Sequence, residues 1–134
     1  MDDEQSNDKN VKIEEDKIFN IRERTFAFAV RIVKLCQYLE KNSGVSKNLI
    51  GQLLNAGTSI GANLEEATAG QSRADFAHKN SISLKEGRET NYWLRLILAT
   101  NTFETKVSEG IKDLESESVQ ISKILGKIVT KIRN

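Results

Sequence analysis

The 134-residue chain contains no proline. An all-β or loop-rich fold of this length would carry several in its turns, so their absence points to long uninterrupted helices. A single cysteine, Cys36, excludes an internal disulfide. Set among apolar residues, it reads as a small core residue and suits a reducing compartment. A single histidine, His78, leaves no Glu-x-x-His pair of the kind that builds a di-metal helical site. No apolar run is long enough for a membrane. The longest uncharged stretch, NLIGQLLNAGTSIGANL at 48–64, is too rich in Asn, Gly, Ser and Thr to span a bilayer. The N-terminus is acidic and lacks the apolar segment of a signal peptide. The expected location is the cytoplasm, with no membrane partner.

The net charge of +1 conceals an asymmetry. Residues 1–16 hold seven acidic residues against two lysines, a net −5, leaving the rest with 18 basic and 12 acidic side chains, a net +6. The length suits one domain. The expected organisation is an acidic disordered tail at 1–16 and a helical domain at 17–134. Such a tail acts as a solubilising arm, or it competes with an anionic partner for the basic body.

Apolar spacing places four helices, at about 17–41, 46–69, 73–101 and 105–132. On the first, Ile18, Ile21, Thr25, Phe28, Ile32, Leu35 and Leu39 step by threes and fours. Phe19, Phe26 and Val33 widen that face, and Gly44 offers a left-handed cap. Ser46 caps the second helix, which carries two seams: Leu49, Leu53, Ala56, Ile60, Asn63, Ala67 and Ile50, Leu54, Gly57, Gly61, Leu64. Gly70 follows as a stop. Ser72 caps the third helix, whose register the pattern leaves open because Asn80, Ser83, Gly87 and Thr90 occupy one possible seam. Val107, Ile111, Leu114, Ser118, Ile121, Leu125, Ile128 and Ile132 mark the fourth, with Ser118 as its polar break. Short connections between four such helices predict an all-α, up-down-up-down antiparallel four-helix bundle.

Residues 51–98 hold the candidate functional positions. Glycine inside a helix costs about 1 kcal/mol relative to alanine, so Gly57 and Gly61, one turn apart, suggest a close helix crossing. Asn63 can hydrogen-bond across it or fix subunit registry. In Lys85-Glu86-Gly87-Arg88-Glu89-Thr90, the two glutamates share a face. They are expected to pair with Lys85, Arg88 or Arg95, inside the subunit or across a boundary. Tyr92 and Trp93 alongside favour an interface. Gly57, Gly61, Asn63, Glu66, Glu86, Glu89, Trp93 and Arg95 are therefore expected at helix-packing or oligomer contacts. Glu66, Glu86 and Glu89 as metal ligands of an enzyme form a distant alternative. No nucleophile–base–orienter set, phosphate-cradling glycine loop or zinc spacing can be assembled. A non-enzymatic protein without cofactor or metal is expected. Arg22, Arg24, Arg31 and Lys34 on the first helix, with Lys123, Lys127 and Lys131 on the fourth, are candidate nucleic-acid contacts. In one monomer they are also what an ordinary solvated face would show.

The runs GTSIGANLEEATAGQSRADF and SLKEGRETNYWLRL resemble the bacterial four-helix-bundle proteins encoded within intervening sequences of 23S ribosomal RNA genes. Related bundles are accessory proteins of diversity-generating retroelements. The resemblance covers about Phe26 to Ile128. It implies a small α bundle in a ring-like homopentamer that binds nucleic acid, and it carries no settled activity. The family pattern falls on Ser59, Asn63, Glu65, Glu66, Asp75, Phe76, Lys85, Glu86, Glu89, Thr90, Trp93 and Leu94. Asn55 stands where the family often has arginine, and Gly87 where it often has alanine. The reading that results is an oligomer binding RNA or DNA through a repeated basic surface. A protein–protein or accessory module, acting with a nucleic-acid-processing protein, is the alternative.

Overall fold

A computed structural model describes the backbone of residues 2–69 and 72–133 and the side chains of 20–69 and 72–132. Four helices account for nearly all of it: α1 (Asp2–Asn42), α2 (Lys47–Thr68), α3 (Arg73–Thr100) and α4 (Thr105–Arg133), with no strand among the described residues. α1 starts upstream of the position expected near 17. No proline or glycine interrupts 2–42, and acidic residues suit the positive end of a helix dipole. The side chains of residues 1–19, among them the acidic stretch 1–16 and the expected face positions Ile18 and Phe19, and the stop expected at Gly70, lie outside the described residues.

The caps follow the sequence where serine supplies them. Ser46 Oγ accepts from the Leu49 amide at 3.2 Å and Ser72 Oγ from the Asp75 amide at 3.1 Å. The cap expected of Gly44 is different: no described glycine has a positive φ. Ser43 does that work, donating to the Leu39 carbonyl at 2.6 Å and accepting from the Val45 amide at 3.3 Å.

Neighbouring helices close a cycle. Among the described residues α1 meets α2 and α4, and α3 meets α2 and α4, while the diagonal pairs have no backbone contact; α1 against α4 is the slightest of the four contacts. Phe28, Ile32, Leu39, Leu53, Ile60, Leu94, Ile97, Ile111, Ile121 and Leu125 fill the space between them. On α1 two apolar positions differ from expectation. Phe26 is 69% exposed and Val33 36%, so neither joins the core. On α4, Val129 turns inward after Leu125, while Ile128 and Ile132 are only partly buried.

The open register of α3 resolves in favour of its polar seam. Asn80, Ser83, Gly87 and Thr90 face the core together with Leu94 and Ile97. Burial is tolerated because each polar group finds a backbone carbonyl. Asn80 Nδ2 donates to Phe76 at 2.7 Å, Thr90 Oγ1 to Glu86 at 2.7 Å, and Ser83 Oγ crosses to Ile60 of α2 at 2.5 Å. Ser118 is handled likewise, donating to the Glu115 carbonyl and accepting from Asn91 Nδ2 at 3.1 Å.

Gly51 sits inside α2 with nothing within 4 Å of where a Cβ would stand. The helix therefore carries the glycine penalty there without a packing return. Gly51→Ala is expected to raise stability by about 0.5–1 kcal/mol, read as a higher urea midpoint at unchanged slope.

Candidate functional site

The α1–α2 crossing is built on the two glycines. A Cβ on Gly57 would lie 2.8 and 2.9 Å from the Cγ2 and Cγ1 atoms of Ile32, and one on Gly61 3.3 Å from Thr25 Oγ1. Gly87 plays the same part between α3 and α4, where a Cβ would meet Ser122 Oγ at 2.7 Å. Asn63, expected to bond across the first crossing, instead donates to Ser59 of its own helix at 2.8 Å. Its amide satisfies α2 and bridges nothing. Glu66 does reach a neighbour: Lys79 Nζ of α3 donates to its Oε2 at 2.5 Å.

The outward face of α3 carries Lys85, Glu86, Arg88 and Glu89, none of them in an ion pair among the described residues. Neither Glu86 nor Glu89 forms an ion pair with Lys85, Arg88 or Arg95 among the described residues. Arg95 turns to Asn91 Oδ1 at 2.9 Å and lies 5.8 Å from the Tyr92 ring centre. Tyr92 is half-exposed and meets Trp93 edge-on, with ring centroids 5.2 Å apart. The Trp93 indole Nε1 is buried and has no hydrogen-bond partner among the described residues. Leu84, Lys85, Arg88, Glu89, Tyr92 and Trp93, with Gln52 of α2, line a groove of about 660 Å³.

Partial burial, then the Glu89 charge, raise the Glu86 carboxyl above its ordinary value of 4.5, with Lys85 acting in the opposite direction. A carboxyl whose folded pKa lies above its unfolded one favours the fold below 4.5 and loses that contribution as pH rises through the raised value. Glu86→Gln is therefore expected to flatten the fall in stability above pH 4.5, with melting temperatures at pH 4 and 7 as the measure. A variant less stable than the parent at pH 7 would mean that a cation, Lys85 or one from another subunit, stabilises the Glu86 carboxylate there.

The basic candidates divide into two groups. Arg22 pairs with Glu65 of α2 at 2.5 Å, and Arg24 and Arg31 pair with Glu117 and Asp113 of α4, each at 2.6 Å. The Arg24 bond is a two-pronged one, Nε and Nη2 each meeting a carboxylate oxygen, with Gln120 accepting as well. These three arginines join helices, and their charge is largely spent on that. Lys34, Lys123 and Lys127 are exposed and form no ion pair among the described residues, and Lys131 is exposed beside them. A basic residue outside the expected set joins the α4 row: Arg73, at the start of α3, donates to the Ile132 carbonyl at 3.0 Å. Arg24, Arg73, Lys127 and Lys131 then border a groove of about 640 Å³ floored by Ile21, Phe76 and α4 isoleucines. Arg73 carries no periodic signal, and only the helix packing brings it there.

Other chemistry finds little footing. Burial pushes the Cys36 thiol up to about 11, with Glu40 adding to the shift, so it stays protonated and unreactive at neutral pH. Among the described residues no group of three or more His, Cys, Asp and Glu could hold a metal ion. Among the described residues no helix is long and apolar enough to cross a membrane.

Comparison with known proteins agrees with this geometry. The model of the 23S rRNA-intervening sequence protein family matches residues 17–127. No curated protein matches the chain. A crystal structure from Bacteroides thetaiotaomicron, of a protein with unknown function from the S23 ribosomal protein family, is similar at 40% identity and a TM-score of 0.74. The match covers 85% of this chain and 98% of that one. With the family model spanning both central motifs and most of the four helices, the chain belongs to the 23S rRNA-intervening sequence protein family.

Proposed function

We propose that the chain is a non-enzymatic protein of up-down-up-down antiparallel topology that assembles into a ring-like homo-oligomer, a pentamer in the family's manner, and binds nucleic acid through a repeated basic surface. Contacts between opposite ends support the topology: Arg22 with Glu65, Cys36 with Ile50, and Arg73 with Ile132. The observation that carries the binding reading is the uncommitted lysine row of α4, Lys123 and Lys127, at the edge where Arg73 joins it. Phosphate contacts sum, so a ring repeating this edge multiplies a weak monomer surface into a strong one. Recognition of this kind is by charge and shape, without base-edge reading.

Assembly is supported by the outward face of α3. Unpaired Glu86 and Glu89 beside Tyr92, Trp93 and the orphaned indole N–H form a surface that a second copy would complete. Glu89→Ala is expected to shift the native mass toward smaller species, and an unchanged mass and melting temperature would remove Glu89 from the interface. The binding reading is tested by titrating the full chain with structured RNA across 50–200 mM salt. A steep loss of affinity with salt is expected, and no binding at 50 mM would end it. A protein partner is the second reading, favoured by the exposed Phe26-Val30-Val33 row on α1. Salt-insensitive capture of one protein, with no RNA binding, would decide for it.

A further inference from the structure

The groove at the corner of α1, α3 and α4 has more in it than a phosphate contact requires. Backbone binding needs only cations, and cations on a convex helix face suffice. Here the cations stand around an apolar floor. Ile124, Ile128 and Ile132 recur every fourth residue on α4, each beside the lysine row, and the Phe76 ring of α3 closes the floor from the other side. No carboxylate lines the groove among the described residues. Arg24 is held by Glu117, so the positive edge rests on Arg73 and Lys127, with Lys131 alongside.

Two facts make the floor unusual. Val129, not Ile128, completes the core stripe of α4, so Ile124, Ile128 and Ile132 are only partly buried, and Ile124 and Ile128 line the groove while packing against the core. Among the described residues α1 and α4 also make the slightest of the four helix contacts, and the groove runs between Asn20, Ile21 and Arg24 of α1 and the α4 isoleucines. An apolar surface ringed by positive charge fits a ligand with flat apolar faces strung on an anionic backbone. That is the chemistry of an unpaired nucleotide strand. In a duplex the base faces are stacked on each other, and only phosphates and groove edges reach a protein. In a single strand each base offers a face to an aromatic or aliphatic surface while its phosphate meets a cation.

We propose that this groove binds unpaired nucleotides, a base lying on Phe76 and the isoleucine row with its flanking phosphates against Arg73 and Lys127. The inference rests on the nucleic-acid reading above and specifies its ligand as a single-stranded or looped segment. Nothing in the groove selects ribose over deoxyribose, so RNA and DNA strands are equivalent ligands.

The test uses the full chain and fluorescence anisotropy with four labelled probes of equal length: single-stranded RNA, single-stranded DNA, duplex RNA, and an abasic strand of the same charge. Both single strands are expected to bind about 10-fold more tightly than the duplex or the abasic strand, the value of one stacked base. Phe76→Ala is expected to abolish that preference, bringing both single strands down to the affinity of the duplex and the abasic strand. Lys127→Gln is expected to weaken all four probes and to lower the salt slope by about one per subunit engaged. Equal affinity for intact strand, duplex and abasic strand would overturn the inference and leave the charge-based reading standing. Failure of all four probes to bind would overturn both. Should Phe76→Ala fold poorly, the abasic comparison on the native chain still decides.

Discussion

Replacing Gly57 with leucine should come close to unfolding the protein. The Cβ alone would stand 2.8 Å from one Ile32 carbon and 2.9 Å from another. Ile32 is fully buried. Close-packed interiors transmit such a clash to the backbone, so the remedy is to push α1 and α2 apart along their whole crossing. Overpacking of this kind typically costs 1–3 kcal/mol, and a four-carbon side chain at a glycine crossing lies at or beyond the top, about 3 kcal/mol or more. Against a typical total of about 5–15 kcal/mol, that is a large share. Gly57→Ala separates the opposing effects. Better helix propensity returns about 1 kcal/mol, while its single methyl still overlaps Ile32, so a net loss of about 1 kcal/mol is expected. Urea denaturation of both variants beside Gly51→Ala gives the comparison. If Gly57→Ala were as stabilising as Gly51→Ala, the crossing would be looser than 2.8 Å implies.

How much of this could be read in advance varies with the kind of residue. The seams of α1, α2 and most of α4 are legible because burial of aliphatic side chains dominates helix placement, and spacing by threes and fours records it directly. Serine caps are legible because their hydrogen bond is local, three residues away. The register of α3 is illegible to apolar counting. Its inward face holds Asn80, Ser83 and Thr90, each satisfied by a carbonyl that only the folded backbone presents. Phe26 and Val33 err the other way: apolar character puts them on a face, and packing leaves that face outside. The candidate site shows the same division. Gly57 and Gly61 are readable as a crossing because they stand one turn apart on one helix face, whereas Gly51, which meets nothing within 4 Å, shows that a helical glycine alone is no such signal. That Arg22, Arg24 and Arg31 are tied to Glu65, Glu117 and Asp113 is a matter of which helices become neighbours, which no local pattern holds. Arg73 and Phe76 enter the groove for the same non-local reason.

Reversing the two free lysines of α4 should cause the largest loss of binding. In Lys123→Glu/Lys127→Glu, each subunit loses two cations and gains two anions at the proposed phosphate edge. In a ring the change repeats with every copy. A protein making several phosphate contacts forfeits orders of magnitude when they are weakened together, so a fall on the order of 100-fold in RNA affinity at low salt is expected. Stability should barely change, because both side chains are exposed and form no ion pair among the described residues. The matched control is Arg22→Gln/Arg31→Gln. Those guanidiniums already face Glu65 and Asp113, so their loss should lower affinity far less while costing some stability where α1 meets α2 and α4. Anisotropy titrations at 50 and 150 mM salt, with a melting curve for each variant, give both readouts. Were the arginine pair to abolish binding while the lysine pair left it intact, the contact surface would lie on α1, and the α4 edge would be an ordinary solvated face.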